Sequence, residues 1–339
     1  MKLAIMADSP SLTQALRRLI EPLHQQAWQA LSLDEASQHL SAEEPPDLLL
    51  QQLDSEADLE CVRRLQAIMP CPVLLFTTLA EPRADLVFAA LGLGARDVVD
   101  LPGLGARSDM DSERLLRRIR NIGLLSGSFM ASTDAATASA PLQASAPRAM
   151  AEPWPTLVAI GASAGGPATI NTLLGNLRAN CRCAIVLVQH LDDRFSAGMA
   201  EWLARECALP VRLARAREAP QPGAVLLASG NSHLCLEHGG ELVYSDEPAG
   251  LPYRPSVDVF MHSVARYWRG PAVGVLLTGM GNDGAQGLKA MRERGFTTIA
   301  QDRASSAVWG MPKAAVEINA ATEVLPLSRI AGRLQELCP

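Results

Sequence analysis

Between an apolar run and a helical pattern the chain reads "VAIGASAGGPATI", residues 158–170, with Ser163 in a Gly-x-Ser-x-Gly turn from Gly161 to Gly165. Glycines on both sides let the backbone take strained angles and admit a substrate, and a helix opening near Pro167 aims its free N–H groups at the same spot. That combination suits a serine nucleophile whose oxyanion is held by backbone N–H groups. A plain structural turn is the competing reading. A dinucleotide site would want Gly in place of Ser163 and an acid closing the next strand, and a P-loop would want Lys-Ser or Lys-Thr after the glycines. The next strand, "AIVLVQH", ends instead in His190.

Read alone, His190 is an edge histidine satisfied by its surroundings; at a strand end facing Ser163 it is a base within reach of the hydroxyl. A Ser–His pair needs an acid to hold the imidazole tautomer and stabilise the imidazolium. "LLTGMGNDGAQGL" offers Asp283, in a turn with Gly279, Gly281 and Gly284 between an apolar strand and a helix. Helix capping is the plain alternative for such an Asp. Asp258, in "YRPSVDVF", is the rival acid and ranks second because it sits where a helix starts. The order Ser163, His190, Asp283 is not the Ser, acid, His order of α/β-hydrolases, so the turn does not imply a lipase-like fold.

These residues need strands to carry them. Over residues 1–122, "KLAIMA", "DLLLQQ", "PVLLFTT" and "ARDVVDL" alternate with amphipathic stretches such as "SLTQALRRLIEPL" and "LECVRRLQAIM", a βαβ rhythm that implies a parallel sheet covered on both faces. Residues 123–155 turn to Ala, Ser, Thr and Pro, as in "STDAATASAPLQASAPRAMAEPWP", and read as a linker. Its r.m.s. span would be about 30 Å. An Ala-rich helix there would be interrupted by Pro141, Pro147, Pro153 and Pro155. Residues 156–339 resume the rhythm with "TLVAIGA", "AIVLVQH", "GAVLLAS", "AVGVLLTGM" and "FTTIAQD". The expected fold is α/β: two doubly wound parallel-sheet domains joined by a flexible linker.

At 339 residues and a formal net charge of −6, with Lys and Arg scattered, the chain offers no basic footprint and no nucleic acid is expected as a partner. "MKLAIMADSP" breaks its apolar run at Asp8, and no run of about 18 apolar residues occurs, so neither an export signal nor membrane insertion is expected. The seven cysteines, at 61, 71, 181, 183, 207, 235 and 338, show no paired metal-ligand spacing. They suggest a reduced, cytoplasmic protein with buried or inert thiols, without metal or cofactor.

"IGASAGGPATI", "VLVQH", "YRPSVDVFMHSVA", "LLTGMGNDGAQGL" and "AQDRASSAVWGMPKAAV", in that order, resemble the catalytic domain of the chemotaxis protein-glutamate methylesterases, the CheB family, over residues 156–337. The resemblance implies hydrolysis of glutamyl γ-methyl esters on the cytoplasmic domain of methylated chemoreceptors, releasing methanol, with deamidation of selected receptor glutamines as a companion activity and a chemosensory histidine kinase as a further partner. By position it makes Ser163 the nucleophile, His190 the general base and acid, Asp283 the orienting acid, and the Met280 N–H a candidate oxyanion donor. It places Ala164 where many members have a Thr hydroxyl beside the histidine. Arg254 is read as a structural cation or a substrate contact, and Met311 and Pro312 as helix-entry packing.

The family's N-terminal domain is a response-regulator receiver, and residues 1–122 resemble it in rhythm but not in chemistry. Of the acidic pair after the first strand only Asp8 remains, beside Ala7; the phosphoacceptor place falls at Gln52, and the Lys place before Pro102 is Leu101. Thr77 or Thr78 keeps the switch hydroxyl. Asp54 lies two residues past Gln52, a slip of about 6–7 Å along a strand. The resemblance therefore implies a degenerate receiver, with a non-catalytic adaptor of a chemosensory array as the alternative for the whole chain.

Overall fold

The computed structural model describes residues 2–20, 26–30, 46–68, 71–79, 83–101, 115–116, 118–119, 154–251 and 253–338. The linker expected at 123–155 lies outside the described residues except for Trp154 and Pro155. The chain divides into two compact units, Met1–Ala136 and Thr137–Pro339.

Apolar runs in the first unit form β1 (Lys2–Met6), β3 (Leu48–Gln52), β4 (Val73–Thr77) and β5 (Asp97–Asp100), and Gln26–Ala30 adds β2 at the edge. All pair in parallel in the order β2-β1-β3-β4-β5. Helices α1 (Pro10–Ile20), α2 (Glu56–Ile68) and α3 (Ala84–Gly92) connect them. Every residue of β3 and β4 is buried, as a parallel sheet covered on both faces requires.

The second unit is built on seven parallel strands in the order β14-β13-β12-β6-β7-β9-β8. They are β6 (Leu157–Ala162), β7 (Ala184–Gln189), β8 (Val211–Leu213), β9 (Ala224–Leu227), β12 (Ala272–Leu276), β13 (Thr297–Gln301) and β14 (Glu323–Leu325). A two-stranded hairpin, β10 (His233–Leu236) with β11 (Leu242–Ser245), stands apart from the sheet and is antiparallel. The helices are α4 (Gly166–Gly175), α5 (Asp193–Glu206), α6 (Val257–Tyr267), α7 (Ala285–Glu293), α8 (Met311–Glu317) and α9 (Leu327–Leu337). β6 and β7 are buried along their whole length. Burying each Val, Leu or Ile contributes about 1.5–3 kcal/mol, which fixes the registers of the central strands firmly.

Two features differ from the sequence reading. Trp154, inside the span read as linker, packs edge-on against Trp268 at a centroid distance of 4.5 Å. Cys183, at the foot of β7, and Cys338, after α9, form a disulfide rather than the reduced thiols expected. Short "CRC" spacing hides this pairing, because the partner is 155 residues away.

Candidate active site

β6 lies between β12 and β7, and the chain winds outward from this centre in both directions. The topology therefore reverses at β6 and β12, the place where open α/β sheets bind ligands beyond the strands' C-terminal ends. Ser163 leaves β6, His190 leaves β7, and Asp283 ends the turn after β12, so three adjacent strands deliver all three residues to one edge.

The Ser163 turn is fixed by backbone. Its N–H donates to Thr278 O at 3.0 Å, and its carbonyl accepts from Gly166 N–H at 2.8 Å and from Gln189 Nε2 at 2.9 Å. The Thr278 hydroxyl donates to Ala164 O at 3.0 Å and accepts from Val308 N–H at 2.8 Å, tying the exit of β12 to the same turn. Gly165 has φ +74° as the N-cap of α4, a conformation that L side chains rarely adopt. A Cβ on Gly279 would lie 2.9 Å from Ser163 Cβ and 2.3 Å from Met311 Sδ, so only glycine lets the two turns approach.

His190 Nε2 lies 2.7 Å from Asp283 Oδ2. The same carboxylate is gripped by the start of α6: the Ser256 hydroxyl donates to Oδ1 at 2.8 Å, Val257 N–H to Oδ2 at 2.7 Å and Asp258 N–H to Oδ1 at 3.0 Å. Burial alone would raise the Asp283 carboxyl, but His190 and these donors outweigh it and hold the group below the ordinary carboxylate value. An acceptor with three donors from the α6 start is committed to the anion, so the imidazole proton rests on Nε2 and Nδ1 carries the lone pair. Nδ1 is buried and has no hydrogen-bond partner among the described residues, Ser163 Oγ included. In unliganded serine–histidine sites this bond is often long or poorly aligned. The imidazole ring is also stacked on Tyr253, with centroids 4.2 Å apart and planes 4° from parallel.

Asp258 does not reach His190: its Oδ1 accepts Gly287 N–H at 2.6 Å. Burial and the neighbouring Asp283 push its carboxyl up to about 7. Met280 follows Gly279 in the turn before Asp283, and its N–H bonds to no group among the described residues. Arg254 donates through Nη2 to Ala249 O at 2.7 Å, and Met311 and Pro312 are buried in the first turn of α8. Sequence reasoning passed over Ser256, Tyr253 and His233, since neither type nor spacing marks them.

In the first unit, Gln52 ends β3 with its Oε1 accepting Asp8 N–H at 2.9 Å and its Nε2 donating to Asp54 Oδ2 at 2.7 Å. Asp54 follows the strand. It accepts the hydroxyls of Thr77 and Thr78 at 2.6 and 2.7 Å and the Thr78 N–H at 3.1 Å. Burial opposes its charge, but these donors and Gln52 prevail and hold the carboxyl below its ordinary value. Asp8 is pushed up, first by burial and then by the charges of Asp58 and Asp54. Leu101, after β5, is fully buried. No cluster of three or more His, Cys, Asp or Glu able to hold a metal occurs among the described residues.

Residues 158–334 match the family described as CheB methylesterase. The chain belongs to the CheB methylesterase family. It is 53% identical over 341 residues to the "protein-glutamate methylesterase/protein-glutamine glutaminase of group 3 operon" of Pseudomonas putida, covering 99% of each chain. It is 50% identical over 341 residues, again 99% of each chain, to "protein-glutamate methylesterase/protein-glutamine glutaminase 3" of Pseudomonas aeruginosa. Among solved structures it is similar to the CheB methylesterase catalytic domain of Thermotoga maritima, with 34% identity and a TM-score of 0.52, covering 54% of this chain and 98% of that one. That coverage accords with a CheB catalytic fold in the second unit. No helix among the described residues is long and apolar enough to cross a membrane.

Proposed function

We propose that the chain is a serine esterase that hydrolyses glutamyl γ-methyl esters on the cytoplasmic domain of methylated chemoreceptors, and that it deamidates glutamines by the same route. The observation that carries this reading is the His190 to Asp283 contact at the sheet edge that also presents Ser163. Relatives at about half identity over the whole chain bear both activities in their names. A hydroxyl, an imidazole and a carboxylate at one sheet edge favour the enzyme over an adaptor.

Ser163 Oγ attacks the ester carbonyl as His190 Nδ1 takes its proton, and Asp283 stabilises the imidazolium through Nε2–H. The Met280 N–H donates to the oxyanion of the tetrahedral intermediate. His190 then protonates the departing methoxy oxygen, and methanol leaves a glutamyl ester on Ser163. Water, deprotonated by His190, cleaves that ester and restores the hydroxyl. With a glutamine substrate the leaving group is ammonia. No cofactor or metal enters these steps.

Residues 1–122 serve in this reading as a degenerate receiver, residues 123–155 as the linker and 156–339 as the catalytic domain of a cytoplasmic enzyme. A chemosensory histidine kinase is a docking partner and not a phosphodonor. The test is mass spectrometry of a methylated receptor cytoplasmic fragment before and after incubation. Conversion of γ-methyl glutamate to glutamate by the wild type, and none by Ser163→Ala, supports the reading; equal conversion by both contradicts it.

A further inference from the structure

The residues that touch substrate do not account for why Asp283 stays where His190 needs it. Its carboxylate hangs from the N-terminal turn of α6, which approaches from a different part of the chain. Ser256 is the N-cap of that helix: its hydroxyl donates to Asp283 Oδ1 and accepts Val259 N–H at 3.3 Å. With its single proton given to the carboxylate and one lone pair to the helix, this hydroxyl is held from both sides. Three residues earlier, the Tyr253 ring lies flat against the imidazole. One short segment, 253–258, thus meets both the histidine and the acid.

The segment is pinned in turn by His233, at the start of β10. Ser256 N–H donates to His233 Nδ1 at 3.1 Å, which requires the neutral ring with its proton on Nε2, where Pro248 O accepts at 3.3 Å. His233 is fully buried, and so is Ser256. Charged groups near this ring are Arg254 and Asp246 on the flanking loops and Asp283 itself. Without the His233 acceptor, Ser256 would carry a buried and unpaired N–H, a penalty the segment relieves by shifting. Asp258 closes the frame by capping α7 through Gly287 N–H, so the helix that follows Asp283 and the helix that holds its carboxylate are fastened to each other.

We propose that Ser256 and His233 are positioning residues of the esterase: His233 fixes the Ser256 backbone, and the Ser256 hydroxyl fixes the Asp283 carboxylate against His190 Nε2. The assignment deepens the esterase reading and rests on it. A positioning role acts on the chemical step and leaves substrate contacts untouched, so its mark is a fall in kcat at constant KM.

The experiment is steady-state methanol release from a methyl-labelled receptor cytoplasmic fragment by the full chain. Ser256→Ala lowers kcat on the order of 10- to 100-fold, by analogy with the outer partners that orient metal-binding side chains, with KM unchanged. Ser256→Thr, which keeps the hydroxyl, recovers most of the rate. Ser256→Gly serves if Ala impairs folding, because glycine is tolerated at an N-cap and still lacks the hydroxyl. His233→Asn, whose Oδ1 stands near the place of Nδ1, stays close to wild type, whereas His233→Leu loses activity at constant KM. Wild-type kcat in folded Ser256→Ala or Ser256→Gly overturns the proposal, as does equal loss in His233→Asn and His233→Leu. A wild type that releases no methanol, or a Ser163→Ala variant that releases it at the wild-type rate, overturns the esterase reading itself and takes this assignment with it.

Discussion

The two units use the same device and end with different chemistry. Each is a doubly wound parallel sheet with polar residues at the C-terminal ends of its central strands, where the winding reverses. In the second unit the strand ends bring together a hydroxyl, an imidazole with an open nitrogen and a carboxylate held ionised. In the first, the corresponding groups satisfy one another: Gln52 bridges Asp8 and Asp54, and Asp54 accepts three bonds from Thr77 and Thr78. At these two sets of strand ends the difference lies in the histidine: one of its ring nitrogens is committed to Asp283 and the other is unpaired among the described residues. Among the described residues His190 Nδ1 has no partner, whereas the Asp54 carboxylate accepts from Gln52, Thr77 and Thr78.

The largest way to break the contrast is to remove a triad member. Ser163→Ala and His190→Ala each reduce methanol release to background, since such groups act as a unit. Asp283→Asn costs on the order of 10⁴-fold by analogy with serine proteases, through the wrong tautomer.

Stability against pH separates the units next. Asp258 has its folded value raised from 3.8 to about 7, so its contribution is fully present below 3.8 and is lost as pH rises to 7. Asp258→Asn therefore raises the melting temperature of the second unit at pH 8, by the equivalent of a few kcal/mol, and the gain shrinks towards pH 4. Asp54 runs the other way: its value is lowered, so its contribution is present above 3.8 and is lost as pH falls through the folded value. Asp54→Asn lowers the melting temperature of the first unit at pH 7 and loses that effect in acid. Calorimetric scans across this range, with the two transitions followed separately, check both signs.

The disulfide between Cys183 and Cys338 also belongs to the second unit alone. A disulfide typically stabilises by about 2–4 kcal/mol, so Cys338→Ser, or a reductant, lowers only that unit's melting temperature. Smaller still is the effect of removing the first unit. A chain starting at Ala151 hydrolyses at least as fast as the full chain; a folded truncation that is markedly slower would make the first unit an activator. The smallest effect expected is none at all: Mg²⁺ with a small phosphodonor leaves the intact mass and the hydrolysis rate unchanged. A phosphoryl group on Asp54 or Asp8 with a rise in rate would end the contrast between the units.

Much of this was legible in the sequence where burial imposes a pattern. Continuous apolar runs gave away β6, β7, β12 and β13, and with them the placement of Ser163, His190 and Asp283 beyond adjacent strands. What escaped had no pattern to carry it. β8 and β14 are three residues each, too short for periodicity, and the Cys183 partner lies 155 residues away. Ser256 looks like any N-cap until Asp283 is seen beneath it, and His233 like any strand histidine until Ser256 N–H is seen to need an acceptor. Gln52 and Leu101 showed what the first unit lacks, but only the fold shows Asp54 accepting both threonine hydroxyls.

The central claim, that Ser163 is the nucleophile of a methylesterase, is tested most directly by methanol release from a methyl-labelled receptor cytoplasmic fragment with wild type and Ser163→Ala side by side. The account predicts steady release by the wild type and background release by the variant, both proteins melting at the same temperature. Equal release by the two would contradict it.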